Sequence, residues 1–313
     1  MRRLLARITL SLAAGGGLFL LWLVVVWPPP SWWGTHWPSE TAFMRMRTHQ
    51  LDAARDTAPR RYRPVPLDSI SDWLERAATA GEDDAFFQHH GIDWNAMRQA
   101  LGYRRDTFDW RRPRDRAELR AAMGRAVERR DRLRGASTIT QQLAKNLYLS
   151  PSRNPLRKVK EAVIAYRLEW SLSKERILEL YLNVAELGSN VWGVEAASQR
   201  YFGRRAARLS MGQAALLIAT LPHPRTSNPA YRPGRTHWRQ QLILRRLRGE
   251  PVELPDEHEE EAAPLPVLPA LESLPPLPLL PPPAAPDTAP PLPTDSAAVP
   301  AKDTTAVPVT PDS

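Results

Sequence analysis

The sequence GASTITQQLAKN occupies residues 135–146 and places a glycine and three hydroxyl side chains ahead of an apolar helical pattern. Serine and threonine favour the N-cap position, where the side-chain oxygen accepts a backbone N–H of the first turn. The free N–H groups at such a helix start can also bind an anion. An N-cap at Ser137 explains half of the pattern without a ligand, so the stretch predicts a helix start and leaves anion binding open.

Helical periodicity extends well beyond this stretch. Apolar residues recur at intervals of three and four over residues 70–80, 94–101, 138–149, 156–187 and 211–220. Strand-like alternation between turn residues is scarce, and no internal repeat is present. The sequence therefore predicts a mostly α domain over residues 39–250.

The N-terminus has the pattern of a membrane anchor. Arg2, Arg3 and Arg7 precede a run of 20 uncharged residues at 8–27, long enough to cross a hydrocarbon core of about 30 Å as a helix. Three prolines and an aromatic belt follow: Trp27, Trp32, Trp33 and Trp37. Residues 1–38 are therefore predicted to form a cytoplasmic N-terminus, one transmembrane helix and an interfacial segment. The alternative is a cleaved signal peptide.

The charge of the chain is divided between its two parts. Residues 251–313 contain 18 of the 32 prolines, 11 acidic residues and one lysine, for a net charge of −10. This composition predicts a disordered tail, because it cannot bury enough apolar area to offset the entropy of ordering. The other 250 residues carry +19, which favours nucleic acid, anionic lipid or a phosphorylated ligand as the partner. The absence of cysteine excludes disulfides and thiolate-bound metals.

Two further stretches contain candidate reactive groups. The sequence EDDAFFQHHG at 82–91 joins acidic residues to paired aromatics, a setting that can tune a carboxylate for general-base work. The sequence RKVKE at 157–161 follows Arg153, and its spacing predicts that Arg157, Lys160 and Glu161 share one helix face. Taken singly, the first stretch fits a solvated helix end and the second a solvated charged face.

Taken in order, these stretches resemble a known family. EDDAFFQHHG, GASTITQQLAKN, RKVKE, SKERILELYLN and WGVEAASQRYFG are similar to the motifs of the peptidoglycan glycosyltransferases, over about residues 43–247. These enzymes occur alone or as the N-terminal half of bifunctional penicillin-binding proteins. The single anchor, with no penicillin-binding domain after it, resembles the monofunctional branch. Ser171 and Lys174 fit a Ser-x-x-Lys pattern, but the partner motifs of an acylating serine do not follow them.

The resemblance implies a lysozyme-like, mostly helical fold of two lobes with a cleft between them. The donor would be a growing glycan on undecaprenyl pyrophosphate, and the acceptor lipid II. Glu82 would take the proton of the acceptor 4-hydroxyl as it attacks with inversion, while Glu161 would hold the cations at the leaving end. The expected substrate contacts are Ser137, Thr138, Gln141 and Gln142 in the cleft, and Lys145, Arg153, Arg157 and Lys160 at the pyrophosphate. Asp83, Phe86, His89 and Gly91 would support or pack the site.

The same resemblance sets the remaining expectations. No cofactor or metal site is expected, and stimulation by a divalent cation stays open. The expected partners are lipid II, the lipid-linked glycan, the membrane and other cell-wall synthesis proteins, without nucleic acid, at the bacterial inner membrane with the catalytic domain in the periplasm. A lysozyme-like hydrolase and a non-catalytic assembly protein are the competing functions.

One segment departs from the family pattern. The segment 103–134 is roughly twenty residues longer than the family usually has. It carries 12 arginines and three aromatic residues. This composition is typical either of a segment that binds anionic lipid headgroups or of a solvated helical extension.

Overall fold

The computed structural model describes residues 2–54, 59–100, 109, 111–128, 137–149 and 155–252. Arg153, much of the insert predicted at 103–134 and nearly all of the predicted tail lie outside these residues.

Helices dominate the described chain, which confirms the predicted mostly α class. They are α1 (Arg2–Val24), α2 (Ala42–Ala53), α3 (Asp72–Glu82), α4 (Trp94–Ala100), α5 (Pro113–Glu128), α6 (Ile139–Tyr148), α7 (Pro155–Ser171), α8 (Lys174–Val184), α9 (Val194–Phe202), α10 (Met211–Ala219) and α11 (Gly234–Leu247). Short 3₁₀ turns occur at Pro30–Gly34, Leu67–Ser69 and Ala206–Arg208. A small sheet contains β1 (Arg61–Tyr62), β2 (Glu186–Gly188) and β3 (Val191–Trp192), in the order β1-β3-β2.

The helix starts follow from hydroxyl caps. In α6 the Thr138 side chain accepts the N–H of Gln141, and the Gln141 side chain accepts the N–H of Thr138, which completes a capping box. Ser210 and Gln213 repeat this arrangement at the start of α10. The N-cap of α6 is thus Thr138, and the prediction of an N-cap at Ser137 was wrong by one residue.

Two groups of helices enclose the core. Helix α10 packs against α3 and α11, while α6 packs against α7, α8 and α2. Leu143, Ile177, Leu217 and Ile243 contribute side chains without solvent exposure to this core. This packing positions the predicted motifs. The carboxylate of Glu82 lies at the C-terminal end of α3, and the amides of Gln141 and Gln142 lie on α6.

A close approach of two backbones fixes the junction between β3 and α9. Gly193 has φ of +78°, and a Cβ built there would lie 2.3 Å from the carbonyl oxygen of Asn183. Only glycine fits such a position without displacing the backbone. The Asn183 side chain in turn bonds the backbone N–H and C=O of Val65, both at 2.8 Å, and so ties α8 to the chain before α3.

Helix α1 covers most of the predicted anchor and packs against α7. The ammonium of Lys160 lies 4.3 Å from the centroid of the Trp22 ring, and the Arg167 guanidinium donates to the carbonyl of Val24 at the end of α1. Within the described ranges, no helix combines the length and the apolarity that a membrane crossing requires. The transmembrane anchor therefore stays a prediction.

Candidate active site

Glu82 is the last residue of α3, and its side chain is only 9% exposed. The preceding Gly81 allows this helix end to lie close to α10 and α11. A Cβ at Gly81 would lie 2.9 Å from Cγ2 of Ile218 and 3.2 Å from Cδ1 of Ile243. The glycine therefore determines how near α11 comes to the Glu82 carboxylate.

Gln142 and Arg239 both donate hydrogen bonds to that carboxylate. Gln142 of α6 donates from Nε2 to Oε2 of Glu82 at 2.9 Å. Arg239 of α11 donates from Nη2 to Oε1 of Glu82 at 3.3 Å and to the carbonyl of Gly81 at 3.1 Å. Each carboxylate oxygen thus accepts an N–H, and these contacts fix the position of the candidate general base.

Tyr181 of α8 sets the orientation of the Gln142 amide. Its hydroxyl donates to Oε1 of Gln142 at 3.1 Å, so the amide nitrogen faces Glu82. Burial raises the pKa of Tyr181 well above its ordinary value, and the nearby charge of Glu82 raises it further. The hydroxyl therefore stays protonated, and Tyr181, Gln142 and Glu82 form a relay of hydrogen bonds with one direction.

The neighbouring carboxylate, Asp83, points into the protein. It accepts Nε2 of His89 at 2.9 Å and the backbone N–H of Ile139, in the first turn of α6, also at 2.9 Å. A carboxylate at this position is stabilised by the helix dipole. The anion at the start of α6 is thus the side chain of Asp83. The two adjacent acids of EDDAFFQHHG consequently have different surroundings: Glu82 faces Gln142 and Arg239, and Asp83 anchors α6.

The rest of the EDDAFFQHHG loop is fixed against α6 and α7. Thr138 donates from Oγ1 to the carbonyl of Gly91 at 2.7 Å. Gly91 has φ of +90°, and a Cβ there would lie 3.2 Å from the backbone of Ala165 in α7. The Phe86 ring is fully buried, with the Lys174 ammonium 4.3 Å from its centroid. These contacts give Phe86 and Gly91 packing and supporting positions.

Four residues of α6 and its N-terminal approach were predicted to contact substrate. Thr138 and Gln141 are 2% and 5% exposed, and they bond each other in the capping box. Gln142 is half-buried beside Glu82, and Ser137 accepts the Lys158 ammonium at 2.8 Å. The structure brings Ser137 and Gln142 to functional groups of the site. The direct substrate contact predicted for all four stays a prediction.

The cations of α7 divide into two sets. Glu161 is 3% exposed and accepts Nη1 of Arg157 at 2.8 Å, together with the Lys158 ammonium. Lys160 directs its ammonium to Trp22 instead, and burial lowers its pKa. The predicted pairing of Arg157 with Glu161 is present, whereas Lys158 takes the place beside Glu161 that the helical spacing assigned to Lys160.

Lys145 lies in the last turn of α6, three residues beyond Gln142. Its charge acts on Glu186 of β2, where burial raises the pKa and the cations of Arg47, Arg225 and Lys145 oppose that rise. At a rise of about 1.5 Å per residue, Lys145 stands roughly 4.5 Å along the helix axis from Gln142. A cation therefore lies one turn from the amide that bonds Glu82.

Sequence reasoning missed three residues of this site. Lys158 lies three residues before Glu161, and residues at this spacing are neighbours on a helix. The spacing rule that placed Arg157 beside Glu161 therefore also predicts Lys158 there. Tyr181 and Arg239 have no local signal, since they lie 39 residues from Gln142 and 157 residues from Glu82.

The sequence is similar to known proteins over most of its length. The sequence matches the family described as Transglycosylase over residues 48–112 and 114–248. The chain belongs to the transglycosylase family. It is therefore a glycosyltransferase, and the resemblance seen in its motifs is confirmed.

Curated relatives extend over most of this transglycosylase. A protein of Azoarcus sp. (strain BH72) named biosynthetic peptidoglycan transglycosylase is 43% identical over 223 residues, which cover 71% of this chain and 87% of the relative. Proteins with the same name from Bordetella pertussis and Herminiimonas arsenicoxydans are each 42% identical. The first aligns over 76% of this chain and 89% of its own length, and the second over 69% and 84%.

Proposed function

We propose that this transglycosylase polymerises the glycan strands of bacterial peptidoglycan. It transfers the growing lipid-linked glycan to the 4-hydroxyl of lipid II, forms a β-1,4 bond with inversion and releases undecaprenyl pyrophosphate. The observation that carries the proposal is the Glu82 carboxylate, held by Gln142 and Arg239 beside α6. The names of the relatives support peptidoglycan as the product class.

The reaction needs one base and one anion site. Glu82 accepts the proton of the acceptor hydroxyl while that oxygen attacks the anomeric carbon of the donor. The bond between the anomeric carbon and the phosphate oxygen breaks, and its electron pair leaves with the pyrophosphate. Since this leaving group is already an anion, stabilisation by positive charge matters more than protonation. Attack from the face opposite the leaving group inverts an α-linked donor.

The cations of α6 and α7 are suited to that anion. We assign the contact with the pyrophosphate to Lys145, Arg157 and Lys158, together with the predicted Arg153. Glu161 holds Arg157 and Lys158 from beneath, because it is buried while the Lys158 side chain is 44% exposed. Charge-assisted hydrogen bonds to phosphate are shorter and roughly twice as strong as neutral ones. Glu161 acts in this proposal as a positioning residue.

A lipid-linked substrate calls for attachment to the membrane. Leu10, Leu20 and Trp27 expose 71%, 62% and 85% of their surface along α1 and after it. Exposed apolar side chains of this size are typical of a surface that contacts a membrane or another protein. We propose that residues 1–38 form a single-pass anchor of the inner membrane with the N-terminus in the cytoplasm. Residues 39–250 then form a two-lobed, lysozyme-like domain in the periplasm.

Incubation of the full-length protein with purified lipid II tests the function. We expect a glycan polymer. Shortened fragments from a preformed glycan would indicate a hydrolase instead, and no product from either substrate would indicate an assembly protein.

The Glu82→Gln variant tests the base, and it should yield no polymer. The amide cannot accept the proton, and its NH₂ must face a donor of Gln142 or Arg239, because both oxygens of Glu82 accept hydrogen bonds. Glu75→Gln on the same helix is the matched control, since Glu75 lies elsewhere on α3 and is partly buried. More than a tenth of the wild-type rate in Glu82→Gln would contradict the assignment.

A further inference from the structure

The segment that joins the predicted anchor to the helical domain, residues 28–38, packs against that domain. We call it the junction segment. Trp33 is 6% exposed, and its indole N–H donates to the hydroxyl of Tyr148, the last residue of α6, at 2.6 Å. A Cβ at Gly34 would lie 3.7 Å from the side chain of Leu172, just after α7. Trp33, one of the four tryptophans predicted at the membrane interface, is therefore fixed to α6.

Arg176, in the first turn of α8, binds the same segment. Its guanidinium donates from Nε to the carbonyl of Trp33 at 2.7 Å and from Nη2 to the carbonyl of His36 at 2.9 Å. Its Cζ lies 4.5 Å from the centroid of the Trp37 ring. Glu179, one turn further along α8, accepts Nη1 and orients the guanidinium. One arginine thus fastens residues 33–37 to α8.

The helix that carries the proposed pyrophosphate contacts also packs against α1. On α7 the Lys160 ammonium lies 4.3 Å from the centroid of the Trp22 ring. Arg157 and Lys158, which the proposed function assigns to the pyrophosphate, lie within three residues of Lys160, or roughly 4.5 Å along the axis. The level of these cations relative to the predicted anchor is therefore set by the same packing that holds the junction segment.

We propose that Trp33 and Arg176 are positioning residues, which hold the cations of α7 at the depth of the lipid headgroups. The assignment rests on the proposed function, because it takes a membrane anchor and a lipid-linked donor as given. The pyrophosphate of such a donor lies at the membrane surface, since its prenyl chain is embedded in the bilayer. A released junction segment of 11 residues would extend up to roughly 40 Å and let the domain leave that depth.

Loss of these contacts should therefore raise KM for a membrane-embedded substrate alone. The apparent affinity falls with the fraction of molecules whose site is at the productive depth, so a fraction of about one-tenth raises KM about tenfold. A short-chain substrate dissolved in water reaches the site at any height, and its KM should stay the same. At saturation kcat should stay the same for both substrates, because bound substrate selects the productive position.

The test measures KM for the full-length protein in vesicles, with long-chain lipid II in the bilayer and with a water-soluble, short-chain lipid II analogue. Arg176→Ala should raise KM for the bilayer substrate about tenfold and leave KM for the soluble one unchanged. Trp33→Phe, which removes the indole N–H and keeps an aromatic ring, should show a smaller shift in the same direction. Tyr201→Phe is the matched control, because it deletes one hydroxyl that donates to the carbonyl of Leu187 at 2.7 Å, outside the junction segment.

The depth of the domain can also be measured without catalysis. The chain contains no cysteine, so Gln241→Cys, at an exposed position of α11, adds one site for a fluorophore. Energy transfer to an acceptor lipid, recorded on single molecules, should give a narrow distribution for the wild type and for Tyr201→Phe. In Arg176→Ala the distribution should broaden, since the domain then takes several heights above the bilayer.

The outcomes separate this proposal from the proposed function. A wild-type enzyme that makes no polymer from either substrate would refute the proposed function, and the positioning role would fall with it. Polymer formation with an equal rise in KM for both substrates in Arg176→Ala and Trp33→Phe would refute the positioning role alone, because it indicates damage to the site. An unchanged KM for the bilayer substrate, or an equally narrow distribution in Arg176→Ala, would also overturn it.

Discussion

Removing one hydroxyl tests whether the hydrogen-bond relay to Glu82 is needed for catalysis. Tyr181→Phe deletes the donor to Oε1 of Gln142 and leaves the packing of the ring unchanged. The amide of Gln142 then loses the contact that makes its nitrogen face Glu82. If the amide turned over, its oxygen would face the Glu82 carboxylate. Without the Tyr181 hydroxyl, Gln142 would therefore populate both amide orientations, and only one of them donates to Glu82.

The magnitude follows from the contacts. A buried neutral hydrogen bond contributes about 1 kcal/mol to the free energy of unfolding, and Tyr181 is 1% exposed, so Tyr181→Phe should lose about that amount. The bond from Gln142 to the Glu82 carboxylate has a charged partner and is worth about 1.5–3 kcal/mol. If half or more of its orienting effect is lost, kcat should fall about tenfold, because 1.4 kcal/mol is a factor of ten. KM should change little, since Tyr181 is buried behind Gln142.

The assay is the initial rate of lipid II polymerisation, measured together with thermal unfolding. Tyr62→Phe provides the control, because Tyr62 donates its hydroxyl to the carbonyl of Pro38 at 2.7 Å, away from Glu82. Both variants should lose similar stability, and only Tyr181→Phe should lose kcat. Equal kcat values in the two variants, at equal loss of stability, would refute the idea that the relay orients Glu82.

Two further substitutions address the approach of α11 and the cations of α7. Gly81→Ala should lower the free energy of unfolding by about 1–3 kcal/mol and reduce kcat, because the added Cβ would lie 2.9 Å from the Ile218 side chain. Denaturant unfolding measures the loss of stability. Gly124→Ala is the control and should show no such loss, because a Cβ at Gly124 meets nothing within 4 Å. Lys158→Ala should weaken binding of a pyrophosphate-containing donor analogue about tenfold, and Lys160→Ala by less, in calorimetric titration. An equal loss of affinity in the two lysine variants would contradict the assignment of the pyrophosphate contact to Lys158 rather than Lys160.

Local sequence determined the helices and the reactive groups. The apolar spacing of residues 138–149 predicts a helix, and α6 runs from Ile139 to Tyr148. The family resemblance indicated Glu82 as the base, and in the structure its carboxylate accepts hydrogen bonds from Gln142 and Arg239. The helix itself depends on spacing within a few helical turns, which a sequence displays directly.

Tertiary structure alone decided how those groups are used. Asp83 and Glu82 are adjacent in sequence, yet one anchors the start of α6 and the other faces Gln142 and Arg239. Local spacing cannot distinguish them, and only the family resemblance assigned them different roles, because the contacts that separate them come from partners 56 to 157 residues away. Lys160 is a similar case, since its ammonium turns to the Trp22 ring when α1 packs against α7. A carboxylate or an ammonium takes its role from the groups that folding brings beside it, and those contacts form between distant segments that no local pattern encodes.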